Sequence, residues 1–575
     1  MSSEKAMVDQ ESRLSRLIST TVGYGTVIAT MAMLFFFLIL PVGVIVSKAF
    51  YSENGLTLEY FRLLFANDLQ TVAIWNSILI GLATTFFCMM LSIPLSMINT
   101  KWVFPGKTLL SGLLLVPMVM PPFVGAIGIQ RFFARRGSIN MLLLENGWID
   151  APIDWLAEGN KFWAVVILEV LHLYPIMYLN LSAALANVDP SLEEAAEVMG
   201  VPRWRRYLQI VWPLAAPGLF AGSIIVFIWA LTDLGTPLLV GFHDSMPVRI
   251  FNMVTDVNEN PVGFALVFVV ILLTVCIFLA SKFMFGTKKY DMMAKGHVTS
   301  GVQKAGLLRT AMIYVVVGGT ILLALIPHIS VLITSISDQW FLTVLPEQYT
   351  LRYYEQIFQT DLPFTGIKNS FLFSMGSTLL DLVLGLLVAY VVTRKLVPMS
   401  GFLDGLVMIP LALPGIVLAF GYVITYTDTF LDPLENPVPL LIIAYAIRRL
   451  PFMVRSASAG LQQTSYSLEE ASACFGASRF YTLRKIVMPL VAANLIAGGL
   501  LCFAYAMLDV SDSLILAMKD QYYPLTKAIY ALFLEQGSGE FVSSALGMVG
   551  MLILTVCIVG ASLILGKKMG ELFRS

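Results

Sequence analysis

The sequence predicts an all-α, polytopic membrane protein of about twelve spanning helices in two tandem six-helix repeats, and three observations lead there. Of 575 residues, 58% are hydrophobic and only 13% are charged, whereas soluble domains carry about 25% charged residues. A water-soluble globule is thereby excluded. Twelve stretches stay apolar over about 20 residues, the length that crosses a bilayer. The second half of the chain repeats the first at a nearly fixed spacing, and such self-similarity sets the architecture before any single element does.

The predicted spans lie near 22–47, 74–98, 109–130, 162–186, 214–240, 261–281, 311–336, 369–393, 401–425, 438–460, 490–516 and 543–566. Backbone groups find no water in hydrocarbon, so each span must be a helix; the alternation of a membrane barrel is missing. The polar stretch 1–21 carries Lys5, Arg13 and Arg16. The apolar run after it is longer than the roughly 7–15 residues of a signal peptide and is expected to stay as an anchor. Orientation follows from the basic residues. Segments 1–21, 99–108, 187–210, 282–310, 394–400, 461–488 and 567–575 hold 22 of the 36 Lys and Arg, against 11 on the opposite side. Both termini are therefore expected in the cytoplasm. The net charge of -1 gives no reason to expect nucleic acid as a partner. Cys88, Cys276, Cys474, Cys502 and Cys557 stand singly in apolar runs, which suits small buried apolar residues and neither a disulfide framework nor a zinc site.

The repeat is read directly. Glu194-Ala195, Gly200, Ile210, Pro213-Leu214 and Ala221-Gly222 recur 276 residues later as Glu470-Ala471, Gly476, Ile486, Pro489-Leu490 and Ala497-Gly498. Upstream, Asn76-Ser77, Pro117, Pro121 and Gly128 recur at an offset of 293 as Asn369-Ser370, Pro410, Pro414 and Gly421. The difference of 17 residues falls in the longer outer loop of the first half, around 131–161. The chain divides into an N-terminal segment 1–21, a first repeat 22–286, a basic linker 287–310 and a second repeat 311–575. Six spans separate equivalent helices, so the halves share one orientation, and a path between them is the natural outcome.

The inner loop after span four opens Asp189-Pro190-Ser191-Leu192-Glu193-Glu194-Ala195-Ala196. Asp189 can cap a helix, Pro190 suits its first turn, and Glu193 and Glu194 favour its positive end. Gly200 ends the helix, and a second short piece leads to Pro213. The loop near 190–210 is thus a compact helix-turn-helix, and the loop near 466–486 repeats it with Glu469, Glu470, Ala471, Gly476 and Pro489. Two like-oriented knobs on one face suit a partner with twofold symmetry.

Both loops resemble the Glu-Ala-Ala loop of permease subunits in binding-protein-dependent ATP-binding-cassette importers: Glu-Ala-Ala, three residues, Gly, nine residues, Ile, one residue, Leu-Pro. Trp212 replaces the usual Leu in the first copy; Ser472 and Met488 depart in the second. The resemblance covers nearly the whole chain. It implies that the loops are coupling helices, docking through Glu193, Glu194, Ala195, Gly200 and Pro213 and through their counterparts Glu469, Glu470, Ala471, Gly476 and Pro489. The implied partner is a separate ATP-binding subunit, two identical copies of which hold ATP and Mg. A periplasmic or extracellular solute-binding protein is expected on the other side, and the chain itself in lipid of the bacterial inner membrane. This chain is expected to bind no cofactor and to be no enzyme. Gly106-Lys107-Thr108 lacks the first Gly of a phosphate loop, because that position is Lys101. His172, His243, His297 and His328 show no metal-ligand spacing.

Ionisable residues inside spans usually face a cavity. Asp233 and Asp509 are equivalents, in Asp233-Leu234-Gly235-Thr236-Pro237 and Asp509-Val510-Ser511-Asp512, and the Gly-Thr-Pro run predicts an interrupted helix in the first copy. His172 corresponds to Arg448, beside Arg449. Asp233, Asp509, Asp512, His172, Arg448 and Arg449 are the pathway candidates, with helix capping for the carboxylates and snorkelling for the arginines as the alternatives. The carboxylates suit a cation; the Arg pair with His suits a phosphate-like anion. The Asp-Leu-Gly-Thr-Pro-Leu-Leu segment is most similar to those of iron(III) importer permeases; fused permeases for phosphonates, phosphate esters or thiamine are the alternative. An ion-coupled secondary transporter is the alternative of another class.

Overall fold

The computed structural model describes residues 23–52, 55–118, 121–254, 261–285 and 303–565. The predicted segment 1–21, most of the linker and the C-terminal tail from 566 lie outside the described residues. The first half contains α1 (Gly23–Phe50), α2 (Asp68–Lys101), α3 (Lys107–Leu113), α4 (Pro122–Phe133), α5 (Glu158–Ala186), α6 (Pro190–Val198), α7 (Trp212–Thr232), α8 (Gly235–Val240), α9 (Met246–Met253) and α10 (Val262–Phe285). The second half repeats them as α11 (Leu307–Ser335), α12 (Asp361–Thr393), α13 (Ser400–Met408), α14 (Gly415–Tyr426), α15 (Val438–Gln463), α16 (Ser467–Cys474), α17 (Met488–Met507), α18 (Ser511–Leu516), α19 (Leu525–Leu534) and α20 (Gly539–Leu565). Equivalent helices differ by ten in number.

Among the described residues nine helices are long and apolar enough to cross a membrane. The remaining three predicted spans differ in instructive ways. Span ten is α15, a helix of 26 residues in which Arg448, Arg449 and Arg455 dilute the apolar character. Spans three and nine are not straight: Lys107–Met118 and Pro122–Glu145 enclose 90°, and Ser400–Ala412 and Gly415–Tyr426 enclose 95°. Proline is the cause. Pro121 and Pro414 take extended backbone at these corners, and a proline also disfavours helix for the residue before it. Such a corner inside a bilayer is tolerated where it is buried in protein or lines a cavity.

The two halves exchange their first helices. Helix α1 packs on α14 of the other half, and α11 packs on α4. A π-helical turn over Phe35–Ile39 loosens the backbone bonding of α1 there. Tyr422 and Tyr426 of α14 donate their hydroxyls to the carbonyls of Phe37 and Phe36, both at 2.6 Å. On the other side Ser330 of α11 donates to the Gly128 carbonyl of α4 at 2.6 Å. The repeated Gly128 and Gly421 mark these two crossings. A Cβ on Gly128 would stand 2.8 Å from Ser330 Cβ, and one on Gly421 would stand 3.0 Å from Pro41 Cβ. Small residues of this kind let helix backbones approach closely in a membrane.

Within each half, α2 packs on α5 and α12 on α15. Cys88, Ser92 and Ser96, one turn apart on α2, each donate to a carbonyl of α5, those of Val170, Tyr174 and Tyr178. The repeated Asn-Ser pair does equivalent work twice. Ser77 and Ser370 accept the N–H groups of Met246 and Leu525 at the starts of α9 and α19, at 2.8 and 2.7 Å. The cysteines divide: Cys88, Cys502 and Cys557 are buried as predicted, whereas Cys276 and Cys474 are exposed. Cys276 faces outward from a lipid-spanning helix, where an apolar side chain is equally at home.

Gly128→Ala is expected to lower the thermal unfolding midpoint of the purified protein, an overpacking cost of about 1–3 kcal/mol. Gly318→Ala on α11, where a Cβ meets nothing within 4 Å, is expected to leave it unchanged.

Candidate functional site

The loops near 190–210 and 466–486 fold as predicted into helical hairpins. Asp189 accepts the Ser191 N–H at 2.9 Å, and these hydrogen bonds hold its carboxyl below the usual carboxylate range. Gly200 and Gly476 both take φ of 77°, the left-handed conformation that lets the helix end and reverse. The chain then re-enters helix and makes a π-helical turn at equivalent places, Tyr207–Val211 and Leu483–Val487, just before Pro213 and Pro489. The wider turn accommodates a ring that would clash in regular helix.

Each hairpin is tied to one end of a spanning helix by an ion pair. Lys101 of α2 meets Glu193 at 3.0 Å, and its counterpart Arg394 of α12 meets Glu469 at 2.6 Å. Tyr390 adds a hydrogen bond to Glu469 at 2.7 Å. Glu193 and Glu469 therefore face back toward the membrane helices, while Glu194, Ala195, Glu470 and Ala471 are exposed. Beside them Met199 is 74% and Phe475 92% exposed, an apolar tip on each knob. The internal braces differ. In the first hairpin Arg206 Nη1 bonds Glu197 at 2.7 Å; in the second the Ser472 and Thr482 hydroxyls bond at 2.8 Å. That contact explains why Ser replaces the second Ala of the motif.

The pathway candidates gather between the halves around a cavity of about 250 Å³. His172, Asp233, Arg448, Arg449 and Asp509 all line it, with the proline corners Pro122 and Pro414. Asp512 does not; it is fully buried behind the wall. Asp509 and Asp512 of the second half are paired with arginines. Arg448 Nη1 lies 2.6 Å from Asp509 and 2.9 Å from Asp512, and Arg449 Nη2 lies 2.6 Å from Asp509. Arg449 also donates to the Tyr505 carbonyl at 2.8 Å. The arginines turn inward to these carboxylates and do not snorkel to the headgroups.

Both repeated aspartates also cap a helix. Asp233 accepts the Thr236 N–H at 2.8 Å at the start of α8, and Asp509 accepts the Asp512 N–H at 3.0 Å at the start of α18. The interruption predicted for the first copy thus occurs in both, and the second needs no proline, because the carboxylate supplies the cap. His172 bonds the Pro117 carbonyl across the first corner at 3.0 Å, and Tyr174 donates to the Leu114 carbonyl at 2.8 Å.

Two buried carboxyls escaped the sequence reading. Glu169 on α5 is 1% exposed and lines the cavity. Asp381 on α12 is fully buried, and neither of its carboxyl oxygens has a hydrogen-bond partner. The signal was there, since each is an ionisable residue inside an apolar span; neither has an acidic equivalent in the other half. Among the described residues no three His, Cys, Asp or Glu converge as a metal site.

Arg449→Met is expected to destabilise the protein by about 3–5 kcal/mol, since Asp509 then keeps a buried charge short of a partner; thermal unfolding in detergent measures it. Arg206 holds Glu197 below the ordinary carboxylate range. A depressed carboxyl contributes stability above its unfolded value and loses it as pH falls through the folded one. Amide exchange in Pro190–Val198 is therefore expected to quicken below about pH 4, relative to Ser467–Cys474, and Arg206→Met to narrow the difference to the share of the Asp189 cap.

Residues 92–285 and 381–570 each match the family of the binding-protein-dependent transport system inner membrane component. A ferric transport system permease protein of Actinobacillus pleuropneumoniae is 26% identical over 508 residues, covering 86% of this chain and 72% of the relative. A permease protein assigned to ferric transport in Haemophilus influenzae shows 26% identity over 507 residues, covering 86% and 78%. A solved bacterial transporter that imports the acidic polysaccharide alginate aligns at 18% identity with a TM-score of 0.40, covering 46% of this chain and 96% of that one. With the family matched once in each half, over most of the chain, this protein belongs to the binding-protein-dependent inner membrane components and is a fused double permease of an ATP-binding-cassette importer.

Proposed function

We propose that this permease forms the whole membrane path of an iron(III) importer, both termini in the cytoplasm. A binding protein delivers the ion to the outer loops. Two identical ATP-binding subunits, which hold ATP and Mg, grip the two hairpins and drive the halves between outward and inward access. One observation carries the reading: each half carries a helical hairpin ion-paired to the end of one of its spanning helices, and the two halves together line one cavity. A push on Glu194 or Glu470 reaches α2 or α12 through Glu193 or Glu469. The iron assignment is supported by the two ferric relatives and by the cavity's carboxylates, hard oxygen ligands for a hard cation. The Arg448–Arg449 pair, which would suit an anion, is already engaged by Asp509 and Asp512.

The double substitution Glu194→Lys and Glu470→Lys is expected to cut uptake by proteoliposomes at least ten-fold and to weaken capture of the ATP-binding subunit. Unchanged, ATP-coupled uptake in that variant refutes the coupling role. Uptake by the purified chain alone, driven by an ion gradient, would establish a secondary transporter instead.

A further inference from the structure

The duplicated aspartates do not sit in duplicated surroundings. At the positions of Arg448 and Arg449 the first half has His172 and Leu173, so Asp233 lacks the guanidinium groups that neutralise Asp509. Among the described residues no Lys or Arg forms an ion pair with Asp233 or Glu169, whereas Asp509 meets two. The first half also adds a carboxyl at a position where the second has none. Glu169 occupies the position of Tyr445, and its carboxyl sits against Asp233 and Thr236. Glu169 is 99% buried by its 1% exposure, it lines the cavity, and its Oε1 has no hydrogen-bond partner. A buried polar atom without a partner is costly unless something else satisfies it.

The cavity therefore has two unlike walls. One is an ionic cluster of Arg448, Arg449, Asp509 and Asp512; the other presents two carboxyls that, among the described residues, no Lys or Arg pairs. In a low-dielectric setting the second wall attracts positive charge, while in the first each carboxylate already faces a guanidinium. We propose that Glu169, together with Asp233, is the cation-contacting wall of the translocation cavity, and that the Arg448–Asp509 cluster is its structural counterpart. Two carboxylates supply fewer ligands than a resident metal site holds, which suits a contact made in transit. This assignment rests on the iron(III) reading and deepens it, because it places specificity in one half of a duplicated chain.

The test uses the full chain with its ATP-binding subunit in proteoliposomes, supplied with binding protein loaded with radioactive iron(III), and reads uptake per ATP hydrolysed. Glu169→Gln is expected to lower that ratio at least ten-fold, and Glu169→Asp to restore part of it. Asp233→Asn keeps a side-chain oxygen to cap Thr236 and is expected to lose at least ten-fold as well, so the assignment stays testable if Glu169→Gln does not fold. Glu158→Gln, which removes an exposed carboxylate from the outer end of the same helix, serves as the control and is expected to match wild type. Wild-type ratios in both Glu169→Gln and Asp233→Asn overturn the assignment. Absence of iron(III) uptake by the wild-type complex, with uptake of another solute, overturns the iron(III) reading itself.

Discussion

No polar group can be left to water in the hydrocarbon layer, and the rest of the structure follows from how this chain meets that constraint. The proline corners between α3 and α4 and between α13 and α14 release carbonyls from helix bonding. His172 and Tyr174 reach two of the carbonyls at the first corner. The π-helical turn of α1 relaxes backbone bonding in the same way, and two tyrosines of the opposite half bond its carbonyls. In both places the partner arrives from a separate element, so satisfying the backbone also fastens distant parts of the chain together.

The exchange of first helices has a mechanical consequence. Because α1 lies on α14 and α11 on α4, each half holds a helix of the other. Each hairpin is tied to a helix end of its own half through Lys101–Glu193 or Arg394–Glu469, and the exchanged helix ties that half to the other. The cavity sits where the proline corners of both halves meet, the least regular backbone in the bundle. Regular helix transmits force along its axis; the corners supply the places where an angle can change.

The two halves keep a common frame and diverge in chemistry. The helix caps by Asp233 and Asp509, the left-handed Gly200 and Gly476 and the Asn-Ser pairs are shared. The surroundings of the caps are not. Arginines pair the aspartates of one site, while the other has Glu169 beside its cap. A fused chain permits this, since each half varies separately, whereas a dimer of identical subunits would carry the same side chain on both walls.

Much of this was legible without coordinates. Span positions come from apolar length, the duplication from constant offsets, and the hairpins from Asp189, Pro190, Gly200 and Pro213, because these are local properties that a bilayer or a helix end enforces residue by residue. The sequence also showed where charges lie inside spans, and by that rule Glu169 and Asp381 belonged beside Asp233 and Asp509. It carried no sign of which charges meet. That Arg448 and Arg449 close on Asp509, that Asp512 turns away from the cavity, and that Glu193 faces α2 while Glu194 faces out were decided by packing. Ion pairing depends on distances of a few ångströms between helices far apart in the chain, and only the assembled bundle sets those distances.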